Sequence, residues 1–335
     1  MKKYVNLFVF VFMIGACLSQ GRAQTKSAVS YKNPVVDIAM PDPTVIKAAD
    51  GYFYVYATES TRNVPIMRSK DLVEWTYCNT AFTNKTRPRF EPKAGIWAPD
   101  INYINGKYVL YYAMSVWGGE QTCGIGVATA NSPQGPFTDH GKMLRSNEIG
   151  VQNSIDPSLL QYEGRNYLVW GSFRGIYVIE LTADGLSIMP GAKKKRIAGT
   201  AFEAVYIHKH GDYYYMFASI GSCCQGVKST YKVVVGRSKK VWGPYKDKTG
   251  KPMLKNGYSL VIGANDHFVG NGHGSQIIRD DAGQDWLLYH GFSRSIPENG
   301  RILLLDQIKW DHEGWPYVEG GSPSYETQKA PVFNN

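Results

Sequence analysis

The sequence predicts an all-β chain folded as a five-bladed β-propeller, and three observations point there. A short grammar of polar residue, apolar strand, Gly-containing turn and aromatic strand occurs five times. The five turn glycines, Gly51, Gly106, Gly164, Gly211 and Gly283, are spaced by 55, 58, 47 and 72 residues. That spacing suits four-stranded sheets repeated about an axis. No long helical periodicity competes, and aromatic residues, which favour strands, make up 13% of the chain. An ordinary β-sandwich with aromatic hairpins is the alternative, but a sandwich requires no regular repeat.

The first repeat opens at Asp42-Pro-Thr-Val-Ile and returns through Gly51-Tyr-Phe-Tyr-Val-Tyr, and the second runs from Asp100 through Asn105-Gly106. The third, Asn153 to Gly171, joins a polar opening and a complete hairpin. The fourth begins at Glu203, and the fifth and weakest begins at His273. Strand-closing turns with an aromatic follow at Ser69–Trp75, Asn131–Phe137 and Ser238–Tyr245. The propeller is expected over residues 34–320, after a polar lead-in at 24–36.

Lys2-Lys3 followed by the apolar run Val5 to Ala16 has the charge and length of an export signal and is too short to span a bilayer. Two ends are open. Gly21-Arg22-Ala23 offers a cleavage site releasing a chain from about residue 24, so that 1–23 is a signal peptide. Alternatively, Ile14-Gly15-Ala16-Cys17 resembles a lipobox that would leave Cys17 acylated. The expected location is periplasmic or extracellular, with a lipid anchor as a variant. The formal charge of +9 falls to +6 without Lys2, Lys3 and Arg22. The one dense basic run, Lys193–Arg196, sits between predicted strands and reads as a solvated loop rather than a nucleic-acid patch. Cys78, Cys123 and the adjacent Cys223-Cys224 match no zinc spacing. The adjacent pair is open to either a vicinal disulfide or two free thiols.

Innermost propeller strands start near one mouth of the axis, so the repeat openings Asp42, Asp100, Asp156, Glu203 and His273 are expected to face a shared space. Asp42 and Asp156, each before a proline, could be simple turn formers. Glu203, between Phe202 and Ala204, would be a costly carboxylate to bury unpaired, and an apolar surrounding raises its pKa as a general acid needs. Glycosidic hydrolysis calls for one protonated and one ionised carboxyl group, and a wide separation between them favours inversion. Trp97, Trp117, Phe173 and Phe202 flank the openings and offer apolar faces to sugar rings; blade packing is the plainer reading of any one of them.

The segments Ser154-Ile-Asp-Pro157, Ile96-Trp-Ala-Pro-Asp100, Ala201-Phe-Glu-Ala204, Gly221-Ser-Cys-Cys224, Ser229-Thr-Tyr231 and Gly272-His-Gly-Ser275 resemble glycoside hydrolase family 43, and within it the arabinanases. The likeness runs from about Pro34 to Trp315. It implies a five-bladed propeller that cuts α-1,5-linked arabinan with inversion, preferentially endo-acting. Asp42 would be the general base, Glu203 the general acid, and Asp156 the residue that orients the acid and tunes its pKa. Asn153, Ser154, Gly118 beside Trp117, and Ser172-Phe173-Arg174 match substrate-contacting positions. His273 matches a histidine that, with waters, holds a central ion, usually calcium, although calcium ordinarily collects more oxygen ligands.

The partners implied are plant cell-wall arabinan or arabino-oligosaccharides, with a monomeric enzyme. Pro41, Val205 and Arg174 depart from the pattern, which keeps exo-acting arabinofuranosidase or β-xylosidase activity open. A carbohydrate-binding propeller without catalysis is the reading from another class.

Overall fold

The structure is a computed structural model describing Met1 and residues 29–334. The export signal, the cleavage point after Ala23 and Cys17 lie outside the described residues. Blade one consists of Thr44–Lys47, Phe53–Tyr56, Pro65–Ser69 and Thr76–Thr80, paired in sequence order. Blade two consists of Gly95–Ile104, Lys107–Ser115, Gly124–Ala130 and Thr138–Arg145. Blade three uses Ser158–Tyr162, Arg165–Trp170, Ile176–Glu180 and Lys195–Ala198. Blade four uses Glu203–His210, Tyr213–Ile220, Lys232–Ser238 and Ser259–Ile262. All these neighbours are antiparallel.

Blade five differs. Phe268–Gly272, Asp285–Ser293 and Ile302–Trp310 supply three strands, and its fourth is Val36–Ala39 from the start of the propeller. Joining the two ends of the repeat in one sheet closes the ring. The sequence assigns no structure to the lead-in at 24–36; its last residue, Val36, is the first of this closing strand and is buried against the core. The weak fifth repeat also has a cause. Its inner strand is interrupted after Gly272, and Ile278–Arg279 resumes the pairing with Asp285-Trp286.

The five turn glycines all have positive φ, between 54° and 83°. A side chain is disfavoured in that region, which is why the turns carry glycine. Aromatic strands pack between blades: Tyr54, Tyr56 and Tyr112 are fully buried with Phe82 and Phe137 between blades one and two. Of the basic run, Lys193 and Lys194 lie in a loop, whereas Lys195 and Arg196 begin the outer strand of blade three; all four are exposed. Cys223 and Cys224 form a vicinal disulfide, and Cys78 and Cys123 are free thiols. No helix among the described residues is long and apolar enough to cross a membrane.

Candidate active site

A recurring backbone feature builds the mouth. Near the start of the inner strand in blades one to four, and at the interruption of the inner strand in blade five, one non-glycine residue has left-handed φ: Asp42 (53°), Ala98 (42°), Asp156 (56°), Ala204 (53°) and His273 (50°). Register shifts accompany it between Trp97 and Asp100 and between Glu203 and Tyr206, as in a bulge. Such conformations are sparsely populated outside glycine, and five at equivalent places indicate that the fold imposes them.

The bulge sorts side chains by level. The left-handed residues and those just before them line a pocket of about 380 Å³: Asp42, Trp97, Asp156, Glu203 and His273. Residues one and two positions later line a cavity of about 20 Å³ beneath, including Thr44, Asp100, Ser158 and Ser275. Asp156 and His273 border both spaces. The expected common mouth is therefore present for Asp42, Asp156, Glu203 and His273. Asp100 belongs to the lower level, because it sits two residues past the bulge at Ala98. There it accepts hydrogen bonds from the Asn102 side chain (2.7 Å), the Leu159 amide (2.7 Å) and Gln276 (3.0 Å). Burial raises its pKa to about 7.

Asp42 is enclosed by donors. Arg301 Nη1 donates to Oδ1 (2.7 Å), Thr58 Oγ1 donates to Oδ2 (2.6 Å), and His273 Nδ1 lies 3.2 Å from Oδ1. Its own amide donates to Nδ1 of the fully buried His290 (3.0 Å). Burial opposes ionisation, yet the Arg301 and His273 charges hold Asp42 well below the usual carboxylate range. Burial keeps His290 neutral, its pKa falling to about 4.

Glu203 goes the other way. It is buried, and burial followed by the Asp156 charge raises its pKa to about 8. It accepts a hydrogen bond from Ser172 Oγ (2.6 Å) and interacts with Tyr231, whose own ionisation burial and the Glu203 charge suppress. Asp156 accepts from the Ala204 amide (3.1 Å), the residue next to Glu203. Burial raises the Asp156 pKa to about 6, with the His273 charge opposing. Near neutral pH the pocket thus holds an ionised Asp42, a largely ionised Asp156 and a protonated Glu203. Environments that push carboxyl groups apart in this way can run acid and base steps together.

The walls are uneven. Trp97 and Trp117 meet with centroids 5.4 Å apart, and Trp117 is 78% exposed, its apolar face free beside Gly118. Phe173 and the Cys223–Cys224 disulfide also line the pocket. Asn153 Nδ2 donates to Ser172 Oγ (2.9 Å), tying it to the hydroxyl that holds Glu203. Three expected substrate positions fall elsewhere. Phe202 is wholly buried in the apolar core of blades three and four. Ser154 is wholly buried, donating to the Val151 carbonyl (2.8 Å) and accepting from Trp170 Nε1 (3.1 Å). Arg174 is exposed beyond the wall and pairs with Glu120, which does line the pocket. Thr58, Arg301, His290 and Tyr231 were not singled out as site residues from the sequence.

The family model described as glycosyl hydrolases family 43 matches residues 31–316. The chain belongs to glycosyl hydrolase family 43. Among its family 43 relatives is an extracellular endo-α-(1→5)-L-arabinanase of Bacillus subtilis, 36% identical over 82% of this chain and 86% of the relative. An extracellular exo-α-(1→5)-L-arabinofuranosidase of Cellvibrio japonicus is also 36% identical, over 83% of this chain and 86% of that protein. A Cellvibrio cellulosa α-L-arabinanase solved with arabinohexaose superposes with a TM-score of 0.77 at 34% identity, covering 86% of this chain and 98% of that one.

Trp117 supplies a prediction about this family 43 pocket. Trp117→Ala should raise KM for oligosaccharides about threefold to tenfold while kcat stays within twofold, since an exposed ring contributes mainly contact. Steady-state kinetics on a length series of the oligosaccharides that the pocket accepts checks it.

Proposed function

We propose that this chain is an exported, inverting hydrolase of α-1,5-L-arabinofuranosidic bonds in plant cell-wall arabinan and arabino-oligosaccharides, with Asp42 as general base and Glu203 as general acid. The observation that carries it is the divergence of carboxyl groups in one pocket: Asp42 is held ionised by Arg301 and His273, while Glu203 is kept protonated by burial and by Asp156. A protonated carboxyl can donate to the leaving oxygen, and an ionised one can take a proton from the attacking water. Ser172 and Tyr231 orient the acid, and Thr58, His290 and Arg301 orient the base. Trp97, Trp117 and Phe173 supply apolar surface for sugar faces.

Endo action is the reading that the arabinanase relatives favour. The exo-acting relative, at equal identity, supports the second reading of release from chain ends. Incubation with debranched linear arabinan tests both. Early oligosaccharides of mixed length support endo action, arabinose alone from the outset supports exo action, and no reducing sugar at all removes the proposal. Aryl-β-xyloside cleavage in preference to arabinan would move the assignment to a xylosidase.

Asp156 is assigned to tuning the acid. Its negative charge raises the Glu203 pKa, so Asp156→Asn should lower that pKa and move the basic limb of the kcat/KM profile, expected near pH 8 in the parent, to lower pH. An unmoved limb would contradict this role.

His273 is the residue that would hold a central calcium ion. It borders the pocket and the cavity beneath, with Nδ1 committed to Asp42. No trio of His, Cys, Asp or Glu ligand atoms converges on His273 among the described residues, so waters would complete the shell. The donor set fits a mostly hydrated ion. When bound, the ion would supply positive charge close to His273 and the carboxyl groups of the pocket.

A further inference from the structure

The strand that begins at Glu203 ends at His210, so His208 and His210 lie about 17 and 23 Å along it from the pocket at ~3.3 Å per residue. Residues two apart on a strand face the same side. That side meets Asp285, the first residue of the second strand of blade five. Among the described residues one trio of His, Cys, Asp or Glu side chains could converge on an ion. It is His208, His210 and Asp285, whose ligand atoms all lie within 4.8 Å of one another.

The surroundings are those of supported ligands. Asp285 is nearly fully buried, and the Trp310 indole N–H donates to its Oδ2 (2.7 Å), fixing the carboxylate. His210 stacks on the same indole with centroids 3.7 Å apart and planes 8° apart, and His208 lies 6.1 Å away at 22°. The Trp310 side chain therefore holds both Asp285 and His210, as outer residues do around metal ligands. His210 Nδ1 stands 3.7 Å from Asp285 Oδ2, too far for a hydrogen bond and close to the separation of two atoms each ~2.0–2.2 Å from a shared ion. Arg279 reaches the other carboxylate oxygen at 3.3 Å from a largely exposed side chain.

We propose that His208, His210 and Asp285 form a divalent transition-metal site, suited to zinc with water in the fourth position, that clasps blade four to blade five. An ion bound only in the folded chain stabilises it by mass action. The site is separate from the pocket and from His273.

The test uses the mature chain, stripped with a chelator and titrated with zinc chloride by calorimetry and with cobalt(II) by visible absorption. One equivalent of zinc at micromolar affinity, tetrahedral cobalt bands and a melting temperature raised by several degrees are expected. His208→Ala/His210→Ala should weaken zinc binding at least tenfold and abolish the cobalt bands, with glycoside hydrolysis unchanged. His210→Gln, closer in volume, gives the same readout if the double variant fails to fold. Absence of zinc binding by the parent chain, or binding undiminished in folded variants, would overturn the proposal.

Discussion

Glu203→Gln is expected to lower kcat on arabinan by roughly 10²–10⁴-fold, the usual contribution of a positioned acid, with KM changed little. The amide keeps the size of the side chain and an oxygen that can accept the Ser172 hydrogen bond, but it has no proton to donate to a departing sugar. The loss should depend on the leaving group. A nitrophenyl arabinofuranoside departs without much help, so the variant should recover a large part of parent activity on it while remaining poor on arabinan. Equal losses on both substrates would deny Glu203 the acid role, and near-normal turnover on arabinan would do so outright.

Asp42→Asn should cost a similar factor, roughly 10²–10⁴-fold, with the opposite substrate pattern. Water must be activated whatever the leaving group, so arabinan and the nitrophenyl substrate should suffer alike. The same substitution leaves Arg301 facing a neutral partner, and breaking a buried pair can cost about 3–5 kcal/mol of stability. Thermal melts of the variant therefore accompany the kinetics. A folded Asp42→Asn chain with near-parent rates on both substrates would show that another group serves as base.

The contrast between these two variants rests on features that were unequally legible in the sequence. Turn glycines and aromatic return strands are local, so Gly51, Gly106, Gly164, Gly211 and Gly283 revealed the blades directly. Four of the five expected mouth residues, Asp42, Asp156, Glu203 and His273, converge because each is, or directly precedes, the left-handed residue at its repeat opening. Asp100 looked equivalent in the linear pattern. Only the bulge at Ala98 moves it one level down, and a left-handed alanine has no compositional signature.

Phe202 adjoins Glu203 in sequence, just before the strand begins, yet the carboxylate lines the pocket while the ring is buried in the core. Two of the groups holding Asp42 come from far along the chain, His290 from blade five and Arg301 from just before its third strand, while Thr58 comes from between the second and third strands of blade one. No spacing rule links residue 42 to residue 301. Their meeting follows from ring closure, for which Val36–Ala39 had to be recognised as the last strand of blade five.

The central claim is that Asp42 and Glu203 act on opposite sides of one sugar, water entering as the leaving group departs. Proton NMR of the earliest product formed from an α-1,5-linked arabino-oligosaccharide, recorded before mutarotation, addresses it most directly. The newly formed reducing end should appear first as the β-anomer and equilibrate afterwards. First appearance of the α-anomer would mean a retaining, two-step reaction and would contradict the roles given to both carboxyl groups.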